Sequence, residues 1–91
     1  MKKLTVFHLD HCPYCVNARR ALEALRAENP AYARVEVVWI EESRYPELAR
    51  ARDYYYVPAV FVGEEKLYEA RPGDSYETIL DRMRSALDAA L

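Results

Sequence analysis

Apolar and polar positions change their period several times along the chain, and each change marks an element. Leu4-Thr5-Val6-Phe7-His8-Leu9 is a run of β-formers that predicts a strand, ended by Asp10-His11. Beyond it the spacing becomes helical. Cys15, Ala18, Leu22 and Leu25 step by three and four, while Arg19, Arg20, Glu23, Arg26 and Glu28 fall on the opposite side. Pro13 suits the first position of this helix, where its missing N–H costs nothing and its fixed φ is already helical. Pro30 stops the helix near Glu28-Asn29, because proline disfavours helix in the residue before it and cannot donate the next backbone bond. Arg34 to Ile40 then predicts a second strand, and two strands joined through a helix imply a parallel pair with a right-handed crossover.

The second half reads differently. Pro46 opens a short helix running to Asp53, whose apolar face is only Leu48, Ala49 and Ala51. Tyr54-Tyr55-Tyr56-Val57 leads to Pro58, and the run Ala59 to Val62 is separated by Gly63-Glu64-Glu65 from Lys66 to Ala70, the pattern of an antiparallel hairpin. A last helix is expected to open at Gly73-Asp74, with Asp74 as its cap, Glu77 as capping-box partner, and a stripe of Tyr76, Leu80, Met83, Leu87 and Leu91. Nothing repeats and no linker or low-complexity segment appears, so residues 1–91 are expected to form a single domain.

The chemistry is concentrated where the first strand pattern meets the first helical one. Cys12-Pro13-Tyr14-Cys15 contains both cysteines of the chain. With Pro13 at the first helical position, Cys12 falls at the N-cap, where unpaired N–H groups and the positive end of the helix dipole favour a thiolate. Cys15 begins the buried face one turn inward, within reach of a disulfide with Cys12. That assigns Cys12 as nucleophile and Cys15 as resolving thiol. Zinc would need two further ligands, and His8 and His11 would crowd four ligands into eight consecutive residues where a strand must become a helix; no metal site is expected. His8 reads as a strand side chain and His11 as an exposed turn residue. Trp39 reads as core, the Arg19, Arg20 and Arg26 set as a solvated helix face, and Tyr14 as a wall of a substrate groove, the remaining tyrosines being packing residues.

Composition narrows the partners. A net charge of -2, from 13 basic and 15 acidic residues, gives no electrostatic reason to expect nucleic acid or an anionic membrane. Leu4 to Phe7 is too short for the apolar region of a signal peptide, and no stretch approaches membrane-spanning length. The expected location is the cytoplasm, where a Cys-x-x-Cys is more often catalytic than structural.

The order βαβ, helix, β-hairpin, helix, with Cys12-Pro13-Tyr14-Cys15 after the first strand and Val57-Pro58 before the hairpin, resembles the thioredoxin fold, and within it the dithiol glutaredoxins of Cys-Pro-Tyr-Cys type. The resemblance implies an α/β architecture, β-α-β-α-β-β-α, with a four-stranded mixed sheet flanked by three helices. It implies a thiol-disulfide oxidoreductase acting on protein disulfides or glutathione mixed disulfides, with no tightly bound cofactor, glutathione as a candidate co-substrate, and a monomeric state. It also implies that Val57-Pro58 is a cis-proline loop lying against the dithiol, and that Gly73-Asp74-Ser75 is the helix terminus holding the γ-glutamyl end of glutathione. Three positions depart from the family pattern. Leu9 stands where a lysine usually precedes the first cysteine by three, Tyr56 replaces the threonine before Val-Pro with the nearby basic residue displaced to Arg50 or Arg52, and Arg71-Pro72-Gly73 replaces a Gly-Gly pair. Those departures keep open an electron carrier reduced by a thioredoxin-reductase-type flavoenzyme; a metal or iron-sulfur binding module is a separate alternative from another class.

Overall fold

The structure, a computed structural model, describes residues 1–91. Its elements run β1 (Leu4–His8), α1 (Pro13–Glu28), α2 (Pro30–Ala33), β2 (Val37–Glu41), α3 (Pro46–Arg50), β3 (Ala59–Val62), β4 (Glu65–Glu69) and α4 (Tyr76–Ala90). The four strands form one mixed sheet in the order β2-β1-β3-β4. β1 pairs parallel with β2 and antiparallel with β3, and β3 pairs antiparallel with β4. This is the thioredoxin-type α/β fold that the resemblance implies, with one helix added. No helix is long and apolar enough to cross a membrane.

The added helix is α2. Pro30 was expected only to stop α1; here it also takes the first position of a new turn, and the Asn29 side chain caps that turn by accepting the Ala31 N–H at 3.0 Å. Asn29 thus closes one helix and opens the next, and the turn buries Tyr32, whose hydroxyl donates to Asp88 of α4 at 2.6 Å. β2 consequently begins at Val37, three residues later than the β-rich run from Arg34 suggests.

Alternation along β1 sets the two sides of the core. Leu4 and Val6 join a cluster with Ala18, Leu22 and Leu25 of α1 and Ile79, Met83 and Leu87 of α4. Phe7 points the other way, onto Ala59 and Phe61, with Ala49 and Tyr54 packed beside them. The α1 stripe matches the expected one, with Ala21 added. That of α4 is rotated: the buried residues are Ile79, Met83, Ala86, Leu87 and Ala90, while Tyr76 and Leu80 are half-buried and Leu91 is exposed. The helix also starts later than expected. Ser75, not Asp74, is the N-cap, its Oγ accepting the Thr78 N–H at 3.1 Å. Asp74 is drawn off by nearer donors, accepting from the Tyr68 hydroxyl at 2.6 Å and the Arg71 N–H at 3.0 Å.

The arginines of α1 do more than face water. Arg19 lies 4.0 Å over the Trp39 ring, which is half-buried and not fully in the core, and Arg20 lies 4.9 Å over Tyr76. Arg26 donates to the carbonyls of Ala33 and Val35 at 3.0 and 2.9 Å, tying α1 to the connection that follows α2.

Candidate functional site

The chain leaves β1 at its buried end and turns sharply before α1. His11 makes that turn in the left-handed region, φ 68°, which is costly for a residue with a Cβ and leaves its side chain in solvent. Cys12 follows as the N-cap of α1, in extended conformation, with Pro13 at the first helical position. Its Sγ accepts the Cys15 N–H at 3.4 Å, and as a thiol it donates to the Val57 carbonyl at 3.8 Å. Both cysteines are free thiols. Cys12 is partly exposed and Cys15 is buried. Burial pushes the Cys15 thiol up to about 12, aided by its hydrogen bond with Cys12 and the nearby Glu42 charge and opposed by a backbone contact from Leu9.

Glu41 holds the turn in place. Its carboxylate is buried at the end of β2 and accepts the Ser43 hydroxyl at 2.5 Å, the Ser43 N–H at 2.6 Å and the Asp10 N–H at 3.4 Å. The Ser43 hydroxyl is the main reason its pKa falls from 4.5 to about 2; burial opposes the fall, and the Ser43 and Asp10 N–H groups add to it. Two residues before Cys12, the backbone is therefore anchored to the neighbouring strand. The hydropathy pattern gives Glu41 no role, since it stands just past the apolar run that ends at Ile40. The available signal was an acid two positions before a serine at a strand end, a spacing that lets a carboxylate reach back to local donors. His8, buried beside it, packs edge-on to Trp39 at 5.5 Å, and burial lowers its pKa.

One further loop reaches Cys12 and another reaches Tyr14. Val57-Pro58 is a cis peptide, as expected, and it brings the Val57 carbonyl to Cys12 while Pro58 is buried at the head of β3. The Tyr14 hydroxyl accepts the Gly73 N–H at 2.7 Å, bringing the loop before α4 against the start of α1. Gly73 is at φ 94°, a conformation that side chains rarely adopt. Val57 therefore meets Cys12 directly, with Pro58 next to it in the chain, while Gly73 meets the side chain of Tyr14, a residue of the same turn as the two cysteines. Asp74 and Ser75 sit on the same loop but are engaged within it, one tying Tyr68 to Arg71 and the other capping α4.

The tyrosine run before Val57 divides. Tyr54 is half-buried, stacked 5.2 Å from Phe7, and donates to Glu42 at 2.6 Å. Tyr55 and Tyr56 are not packing residues: they are 88% and 53% exposed, and their N–H groups donate to the Glu69 carboxylate at 2.6 and 2.8 Å. Arg52 donates to the Gly63 carbonyl at 2.6 Å and lies 4.8 Å over Phe61. Gly63 follows the last residue of β3, at the opposite end of that strand from Pro58. No group of three or more His, Cys, Asp or Glu side chains is arranged to hold a metal ion.

Comparison with known proteins bears on the same segment. A family model described as Glutaredoxin matches residues 4–67, which include Cys12, Cys15 and the Val57-Pro58 loop and end before Gly73. No curated protein matches the chain.

Proposed function

The chain belongs to the glutaredoxin family, and on that premise we propose that it is a dithiol thiol-disulfide oxidoreductase of Cys-Pro-Tyr-Cys type, acting on protein disulfides or glutathione mixed disulfides. The observation that carries the proposal is the inequality of the two sulfurs. Cys12 is accessible at the end of a helix with an N–H directed at it, whereas Cys15 is buried and held as a thiol. Cys12 thiolate attacks one sulfur of the target disulfide; the S–S bond breaks, the other sulfur leaves as a thiolate, and a mixed disulfide with Cys12 forms. Cys15 then gives its proton to a departing thiolate and attacks the Cys12 sulfur, releasing the reduced target and leaving a Cys12–Cys15 disulfide. Two electrons have passed from the dithiol to the target. In this scheme the Val57 carbonyl, at the head of the loop it shares with Pro58, orients the peptide part of the target beside Cys12. Tyr14 and the Gly73-Asp74-Ser75 loop form the facing wall.

The electron source we propose is a thioredoxin-reductase-type flavoenzyme, with glutathione as the alternative. Supporting this, Leu9 replaces a usual cation, and Arg52, one of the two candidates for the displaced basic residue, is committed to the Gly63 carbonyl away from Cys12. A glutathione carboxylate at the dithiol would lack the cation that Leu9 replaces and would not find Arg52 free. The cytoplasm, a monomeric state and the absence of a tightly bound cofactor belong to the same proposal. A metal or iron-sulfur module is the competing reading, separated by the absorbance spectrum and metal content of freshly purified protein.

The deciding experiment pairs two variants with two reductants. In NADPH-coupled assays, turnover is expected with thioredoxin reductase and to be weak with glutathione plus its reductase. Cys15→Ser is expected to accumulate a stable mixed disulfide with a protein target, since that adduct has no internal exit, and Cys12→Ser is expected to be inactive. Robust glutathione-dependent turnover by Cys15→Ser would make glutathione the natural reductant. Activity in Cys12→Ser would overturn the mechanism.

A further inference from the structure

An open groove of about 760 Å³ runs along β4 and across the start of α4. β4 is an edge strand, paired with β3 on one side and with no strand on the other. The strand and the Ala70-Arg71-Pro72 segment after it line the groove, joined by Tyr55 and Tyr56 from the loop before Pro58 and by Arg82 from α4. Two of its lining residues are chain neighbours of the loops that meet Cys12 and Tyr14. Tyr56 adjoins Val57, whose carbonyl meets Cys12, and Pro72 adjoins Gly73, whose N–H meets the Tyr14 hydroxyl.

Charges in the groove are unequally satisfied. Glu69 accepts the Tyr55 and Tyr56 N–H groups and pairs with Lys66 at 2.7 Å; Asp74 accepts from Tyr68 and from the Arg71 backbone. Both acids are thus occupied. The guanidinium groups of Arg71 and Arg82 make no hydrogen bond and no ion pair. Two unpaired arginines beside two outward-facing tyrosine rings have the composition of a recognition surface, since these residue types dominate binding hot spots. They stand out on a chain whose net charge is -2.

Resting on the oxidoreductase reading, we infer that this groove docks an extended acidic segment of the disulfide-bearing target protein, with its carboxylates on Arg71 and Arg82 and its backbone along the open edge of β4. Length favours a polypeptide over glutathione. The five residues of β4 extend about 16 Å at roughly 3.3 Å each. A tripeptide joined through its central cysteine reaches one residue to either side and covers one end only. The acidic segment therefore selects the target, while the dithiol, indifferent to sequence, performs the exchange.

The test separates docking from chemistry. Two fluorescent peptides of identical length, one carrying Asp and Glu beside the reactive position and the other Asn and Gln, are prepared with serine in place of the cysteine and titrated with the full chain. The acidic peptide is expected to bind about tenfold more tightly, the scale of two exposed charge pairs. That preference is expected to vanish in the Arg71→Gln/Arg82→Gln double variant and to pass to a Lys-bearing peptide in Arg71→Glu/Arg82→Glu. Equal binding of the two peptides, a preference that survives in the double Gln variant, or a loss of glutathione binding as large as the loss of peptide binding would each overturn the inference. Cystine-containing forms of the same peptides test the reaction separately. Selective binding without reduction removes the oxidoreductase reading and keeps the groove, whereas equal binding with equal reduction removes the groove alone.

Discussion

Cys15 is kept as a thiol by its burial at the start of the α1 core face, and its proton is held up to about pH 12. Iodoacetamide titrated against pH is therefore expected to modify Cys12 alone across the neutral and mildly alkaline range, with the site read by mass spectrometry; Cys15 adducts in folded protein would reverse the assigned roles. Glu41 gives a second expectation. Its carboxyl is held at about 2 against an ordinary 4.5, so the charged form is the one that stabilises the fold. That contribution is complete above about pH 4.5, falls as the pH drops toward about 2 and is gone below it. Glu41→Gln lacks it at every pH. The gap in urea midpoint between wild type and Glu41→Gln is expected to be wide near about pH 7 and to close near about pH 2; a gap independent of pH would mean the charge plays no part. At this scale the sequence declared the sulfurs plainly, because proline at a helix start fixes which cysteine caps and which is buried. It did not declare Glu41 or the outward turn of Tyr55 and Tyr56. Glu41 is held by the Asp10 N–H across the sheet and by a serine only two residues on, a short spacing that many exposed acids share. The Tyr55 and Tyr56 backbone is turned by an acceptor thirteen or fourteen residues away, Glu69, of which residue type carries no record.

Among the elements, α1 was legible to within a residue because its stripe, its proline and its cap agree. α4 was less so, since two candidate caps stand side by side and the competition was settled by Tyr68, which takes the Asp74 carboxylate and leaves the cap to Ser75. The rotated face of α4 follows what it packs on, chiefly α1 and with it the sheet, and its buried positions include the small residues Ala86 and Ala90. Two leucines at the same spacing then diverge in energy. Leu87→Ala removes a fully buried side chain from between α4, α1 and the sheet, and is expected to cost about 2–5 kcal/mol. Leu91→Ala changes a residue that is 51% exposed and is expected to stay within about 0.5 kcal/mol. Chemical denaturation of both variants checks this, and equal losses would restore the stripe suggested by the spacing. α2 escaped notice for a simpler reason: a single turn has too few residues to show a period, and its buried tyrosine is held by Asp88 on the far helix.

For the molecule as a whole, the radius of gyration of 12.1 Å is that of a compact unit of this length, about 12 Å. Both core clusters are built on the same central strand. We expect one cooperative unfolding transition, with Trp39 fluorescence and far-ultraviolet circular dichroism coinciding across a urea titration; separated midpoints would show that the α3 side melts independently. The central position of β1 reaches further than stability. Each of its residues is buried, and Leu4 through Phe7 are matched on both flanks, from Leu4 between Val37 and Val62 to Phe7 between Ile40 and Ala59. Four residues beyond its end stands the reactive sulfur. Backbone hydrogens held in such a strand trade with solvent only when the entire sheet comes apart. The same event is what dislodges Cys12. Thermal loss of the proposed activity and the slowest deuterium uptake in the chain should therefore run on one clock, and the working lifetime of the protein in heat is set at its most deeply placed strand, well away from the surface on which Cys12 opens.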